Sequence, residues 1–127
     1  SMLIQAITIA DQHYAAARDS VDFIKHYIFP GSCIPSITAL ADAARVSSDL
    51  KLFHLEDIGD HYATTLRKWR ETFFESLPQV KELGFDDRFI KMWDFYLCYC
   101  IAGFVKRHIS DVHMVMIRPE SKLQSPT

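Results

Sequence analysis

Apolar positions run almost unbroken over residues 3–9, LIQAITI, with Gln5 as the one large polar interruption. A β-branched run of this kind predicts a strand covered on both faces inside an α/β sheet. Residues 11–20 are polar and predict a connection, with a short helical piece over 14–18. In residues 21–29, VDFIKHYIF, the clustering of Phe23, Ile24, Tyr27 and Ile28 predicts a short helix stopped by Pro30-Gly31. Ser36 then stands as N-cap to a helix through Ile37, Leu40 and Ala44.

Residues 47–50 turn the chain into a second strand, where Phe53 and Leu55 alternate with His54 and Glu56. Gly59 and Asp60 supply turn and cap before the spacing becomes helical. Tyr62, Leu66, Trp69 and Phe73 recur at three- and four-residue intervals as an inward stripe, leaving Arg67, Lys68, Arg70 and Glu71 to solvent. Leu77-Pro78 ends this helix, and a shorter segment reaches Gly84. Asp86 caps the longest helix, whose wide face of Phe89, Met92, Trp93, Tyr96, Leu97, Cys100 and Phe104 calls for burial. Lys106-Arg107-His108 closes it with the charge that a helix C-terminus favours. Ser110-Asp111 reads as a turn, and residues 112–117 as a third strand. Pro119 ends the ordered unit, 1–119, and 120–127 forms a polar, frayed tail.

The resulting order is strand, helices, strand, helices, strand, without repeat or linker. Three strands do not complete an enzyme sheet. Ser1-Met2 resembles the remnant of a cleaved tag, and Leu3 follows at once inside a strand pattern, so the expectation is the C-terminal part of a longer protein. With 127 residues, 49% of them hydrophobic, the chain can bury one compact core. Its 14 basic and 16 acidic residues, a formal net charge of -2, exclude an electrostatic footprint for non-specific nucleic-acid binding.

Cys33, Cys98 and Cys100 form neither a paired disulfide framework nor a C-x-x-C metal site, which fits a reducing cytosol. No apolar run has the length of a membrane-spanning helix, and no secretory leader pattern opens the chain. The glycines stand alone, so no Gly-x-Gly cofactor loop exists, and no H-x-x-x-H pair marks zinc.

Among candidate chemical groups, Tyr62 sits in the first turn of a core-facing helix, where a phenol offers both a donor and an acceptor; packing alone also accounts for it. A Gln in the position of Gln5 is foremost a structural hydrogen-bonder. Cys33, bracketed by two prolines with no base beside it, reads as a packed thiol rather than a nucleophile.

Taken together, FPGSCIPS, FHLEDIGDHYATTLRKW and GFDDRFIKMWDFYLCYCIAGFVKRHISDVHMVMIRP resemble the C-terminal part of the cyclopropane-fatty-acyl-phospholipid synthases, over nearly the whole chain. The resemblance implies the C-terminal portion of a Rossmann-like S-adenosylmethionine-dependent methyltransferase: α/β, with a three-stranded mixed sheet, its last strand antiparallel and in the middle, and about four to five helices. The cofactor loop would lie upstream, so this fragment alone is expected to bind no cofactor and to be inactive.

In that family methyl transfer to an acyl-chain double bond is followed by ring closure, with bound bicarbonate taking the proton. The resemblance places Tyr62, the Gln5 side chain and the Ile7 main chain at that ion, with Glu56 beside them, orienting neighbours. Gln5 stands where many members have histidine; Gln still donates a hydrogen bond but cannot titrate. The family's cysteine and glutamate ligands would lie upstream, so Cys33 is not that cysteine. Phe29, Trp93 and Tyr96 suit an acyl-chain channel, although such stripes more often form plain core.

The expected activity is conversion of a cis double bond in a phospholipid chain to a cyclopropane. The expected setting is a cytoplasmic, peripheral protein at the inner membrane surface. A small-molecule amine methyltransferase and a non-catalytic lipid- or partner-binding module are the alternatives. The bare edge of residues 3–9 predicts homo-oligomers, since an unpaired apolar strand is a template for another copy.

Overall fold

The computed structural model describes residues 1–120; the expected tail at 120–127 lies outside them save for Glu120. Three strands form one sheet, β1 (Met2–Ile9), β2 (Lys51–Asp57) and β3 (Ile109–Ile117), in the order β1-β3-β2. The last strand lies in the middle, as expected, and runs antiparallel to both neighbours. β1 and β2 therefore point the same way without touching, and every pairing among the described strands is antiparallel.

Among the described residues there are five α-helices: α1 (Asp11–Arg18), α2 (Ile37–Ser47), α3 (Gly59–Glu75), α4 (Leu77–Glu82) and α5 (Asp87–Val105). A π-helical turn, Ile24–Ile28, closes with Phe29 N–H donating to Ile24 O at 2.8 Å. α2 starts where Ser36 predicts, with its hydroxyl accepting from Ala39 N–H at 3.0 Å. The Asp86 carboxylate caps α5 in the same way through Phe89 N–H at 2.9 Å.

Alternation along β3 sends its side chains to two different environments. Val112, Met114 and Met116 are fully or almost fully buried against Ile37, Leu40 and Ala44 of α2, with Ile4 and Leu55 from the flanking strands. Burying such side chains contributes about 1.5–3 kcal/mol each. Over the opposite face, α3 and α5 pack through Ala63, Leu66, Leu97, Cys100 and Phe104, and this cluster reaches the sheet at Ile109. The result is three layers, α2, sheet, and the α3–α5 pair.

Several sequence expectations need correcting. β3 begins at Ile109, so Ser110 and Asp111 are paired strand residues opposite Thr8 and Ile7 rather than a turn. The reversal happens earlier, at Arg107, whose φ of 56° ends α5 with His108 N–H donating to Gly103 O at 2.9 Å. Residues 3–9 are not covered on both faces: Ile4, Ala6 and Thr8 face the covered side, while Leu3, Gln5 and Ile7 lie exposed on the other, Leu3 at 64%.

On α3 the inward line is Gly59, Ala63 and Leu66, continued by Arg70, which pairs with Asp94 of α5 at 2.6 Å; Trp69 is displaced to the flank and half exposed. α3 stops at Glu75, just before Leu77-Pro78 as expected, and Pro78 sits in the first turn of the short α4, where its missing N–H costs nothing. The face of α5 is buried only at Ile90, Leu97, Cys100 and Phe104, while Phe89, Met92, Trp93 and Tyr96 are half-buried. Cys33 is exposed, not packed, since the Pro-rich turn keeps it at the surface.

Candidate active site

The junction between β2 and α3 positions Tyr62. Asp57 Oδ1 accepts from Gly59 N–H at 2.9 Å and also meets the Ser110 hydroxyl, so Asp57 caps this end and Asp60 instead faces Arg107 at 3.3 Å. Ile58 N–H donates to Asp111 O at 2.8 Å, extending the β2–β3 ladder up to the helix. Gly59 is required by close approach: a Cβ there would collide with Ser110 Oγ and come within 3.2 Å of Asp57 Oδ1. One turn later Tyr62 rests its ring against Phe104, with centroids 4.9 Å apart.

Register then assembles the rest. Directly opposed residues of antiparallel strands share a face. Gln5, His113 and Glu56 are opposed across all three strands, and Ile7 and Asp111 form the next row on that same face. Gln5, Ile7 and Glu56 are thus brought together around Asp111 and His113 of the central strand, on the sheet face that α3 and α5 cover at Ile109.

Asp111 is the polar centre of the arrangement. It is 1% exposed, and its carboxylate accepts a 2.7 Å hydrogen bond from Gln5 Nε2. Burial, followed by the nearby Asp111 carboxylate and then the Cys100 sulfur, raises the Tyr62 hydroxyl above the ordinary phenol range. Like any phenol it is protonated at neutral pH, so Tyr62 can donate. Glu56 lies exposed at the open end of the first row. Among the described residues no hydrogen bond joins the Tyr62 hydroxyl or Glu56 to Gln5 or Asp111.

Sequence reading missed Asp111 and His113. Their signal was present, two polar residues at alternate positions in SDVHMVMI, but it was hidden by assigning Ser110-Asp111 to a turn. Further along α5, burial pushes the Tyr96 hydroxyl up to about 12 and the Cys100 thiol up to about 11. Both remain uncharged within the α3–α5 core.

Three cavities open around this frame. One of 280 Å³ lies at the β2–α3 junction beside Asp57, Gly59 and Ser110. One of 530 Å³ lies outside the α3–α5 pair, between Arg67 and Val105. One of 640 Å³ opens at the Ile9–Ile109 end of the sheet. Gln5, Glu56 and Tyr62 line none of them. Among the described residues no three His, Cys, Asp or Glu side chains gather into a metal site.

The family model described as mycolic acid cyclopropane synthetase matches residues 1–115. The chain is 37% identical over 115 residues to tuberculostearic acid methyltransferase of Mycobacterium tuberculosis, covering 91% of this chain and 27% of that protein. It is 31% identical over 96 residues to cyclopropane-fatty-acyl-phospholipid synthase of Escherichia coli K12, covering 76% and 24%. It thus spans about a quarter of the length of these relatives. Among solved structures it is similar to a mycolic acid cyclopropane synthase complexed with SAH and CTAB, with a TM-score of 0.78 at 22% identity, covering 91% of this chain and 43% of that one.

Proposed function

Since this chain belongs to the mycolic acid cyclopropane synthetase family, we propose that it supplies the C-terminal part of a longer S-adenosylmethionine-dependent methyltransferase that converts a cis double bond of a phospholipid acyl chain to a cyclopropane. The observation that supports this reading is the shared sheet face of Gln5, Ile7 and Glu56 beside Asp111 and His113, with Tyr62 on α3 near enough to Asp111 to feel its charge. Relatives whose names specify cyclopropane synthesis or fatty-acid methylation support the lipid class.

S-adenosylmethionine, held by parts of the protein outside this chain, would supply the methyl group, and bicarbonate would supply the base. Two hydrogen-bond donors support a small oxyanion beside them. Tyr62 is held in its donor form, and the Gln5 amide keeps a second N–H beyond the one spent on Asp111. Asp111 fixes the Gln5 rotamer, and the Gln5 amide in turn answers its buried charge. Because Gln5 cannot take a proton, it binds and orients only. Glu56, exposed at the end of the row, is screened by solvent and orients rather than reacts. The working place is the cytoplasmic face of a bilayer, as a peripheral protein; among the described residues no helix is long and apolar enough to cross one.

A neutral Gln5 in place of the expected histidine keeps a second reading open, methylation of an amine acceptor on the same scaffold. The deciding experiment expresses the longer protein and supplies labelled S-adenosylmethionine with cis-monounsaturated phospholipid or with small amines. Cyclopropane lipid identified by mass spectrometry is the expected product. Label in amines alone would replace the lipid reading, and label in neither would favour a non-catalytic binding module.

A further inference from the structure

The 640 Å³ cavity lies one row beyond the Ile7–Asp111 pair, where Ile9 and Ile109 face each other across β1 and β3 and both line its wall. Ile24 and Ile34 extend that wall, so most of the lining is hydrocarbon. Besides Lys25, three nitrogen-bearing side chains line it from separate elements: His13 from α1, Lys106 from the end of α5, and His108 from the turn into β3. The two imidazole rings approach with centroids 5.1 Å apart.

The other polar groups of the lining are already engaged. Lys25 Nζ donates to the last carbonyls of α1, including Ala17 O, and to Ser20 O at 2.8 Å. Asp22 accepts from Lys25 N–H at 2.9 Å and from the Tyr99 hydroxyl at 3.3 Å. Among the described residues no side-chain hydrogen bond or ion pair engages His13, Lys106 or His108. An apolar cavity with a few convergent donors is the form of a site for a ligand that is mostly hydrocarbon and anionic at one end.

We propose that this cavity is the headgroup subsite of the substrate, taking the phosphate of an anionic phospholipid at His13, Lys106 and His108 and the adjoining hydrocarbon along Ile24, Ile34 and Ile109. This deepens the lipid reading above and rests on it. The subsite selects headgroup charge. It lies on the same sheet face as the candidate active site, with the hydrocarbon wall between them to carry the acyl chain.

The test uses the longer protein that contains this chain, with short-chain phosphatidylglycerol, short-chain phosphatidylcholine and inorganic phosphate as probes. Calorimetry is done below the lipids' micelle concentrations, which removes vesicle surface charge. Phosphatidylglycerol is expected to bind about tenfold more tightly than phosphatidylcholine, a difference of about 1.4 kcal/mol, and more tightly than inorganic phosphate. The triple variant His13→Gln, Lys106→Gln, His108→Gln should lose that preference, while Lys106→Arg should keep it. All three side chains are exposed, so these substitutions spare the core.

Unchanged phosphatidylglycerol affinity in the triple variant would overturn the subsite, and so would equal affinity for inorganic phosphate. Turnover of cis-unsaturated lipid with no headgroup preference overturns the subsite and leaves the lipid reading standing. Headgroup binding that the triple variant abolishes, in a protein that methylates only amines, supports the binding site and overturns the lipid reading.

Discussion

Asp111 shows how much rests on single side chains. A carboxylate 1% exposed and held by one amide at 2.7 Å loses its compensation if the amide goes. Gln5→Leu should therefore destabilise the fold by about 1–3 kcal/mol in urea melts, and Asp111→Asn in the same background should restore part of it. Tyr62→Phe keeps the ring against Phe104 and removes only the donor, so the longer protein should keep its melting temperature and lose kcat on the order of 10²-fold. The buried thiol of Cys100 sets a pH limit. Its folded value, about 11, lies above the usual 9.0, so its protonated form is favoured by folding. That contribution is complete below about 9 and is lost as pH rises towards 11. Thermal melts should fall across this window, and Cys100→Ala should flatten the early part of the fall, leaving the later loss from Tyr96, whose hydroxyl sits at about 12.

Elements are set by local chemistry at their ends and by close approach where they meet. Ser36 and Asp86 cap α2 and α5 as their sequence positions predict, because a cap needs only residues within one turn of itself. The β2–α3 junction differs, since its tightness comes from β3. Gly59→Ala would push a methyl group into Ser110 and should cost about 1–3 kcal/mol in chemical denaturation. Combining it with Ser110→Ala should recover part of that loss; no recovery would show that the backbone of β3, not the hydroxyl, sets the spacing. The inward stripe of α3 was legible in its period, with Leu66 buried and Tyr62 and Phe73 packed on the same core; Trp69 alone was displaced. Arg70 took the place expected of Trp69 because Asp94 on α5 gave its charge a partner, and a helix considered alone contains no such information.

At the scale of the molecule, β1 is the exposed boundary. It pairs with β3 on one side, while Leu3 and Ile7 stand 64% and 37% exposed along a strand without proline or charge. The isolated chain is expected to self-associate through this edge, seen as a concentration-dependent rise in sedimentation coefficient. Ala6→Pro should weaken the association by removing a backbone donor and placing a ring on the edge. A clean monomer at high concentration, with β1 amides protected from exchange, would show that the edge is covered within the chain. Calorimetry on the isolated chain should likewise detect no saturable S-adenosylmethionine binding, and micromolar affinity would place cofactor contacts within these residues.

By itself the sequence determined the order of strands and helices, the caps of α2 and α5, and the family, because hydrophobic period and turn chemistry act over a few residues and long ordered motifs persist along the chain. It named Gln5, Ile7, Glu56 and Tyr62 through that resemblance. Only the tertiary structure decided that β3 runs between the other two strands in a register opposing His113 to both Gln5 and Glu56. That register gives Gln5 its partner 106 residues away and turns a Ser-Asp pair, locally a turn signal, into the buried polar centre of a strand. Pairing energy between distant segments overrides a local preference for reversal, and no short window of sequence contains both members of the pair.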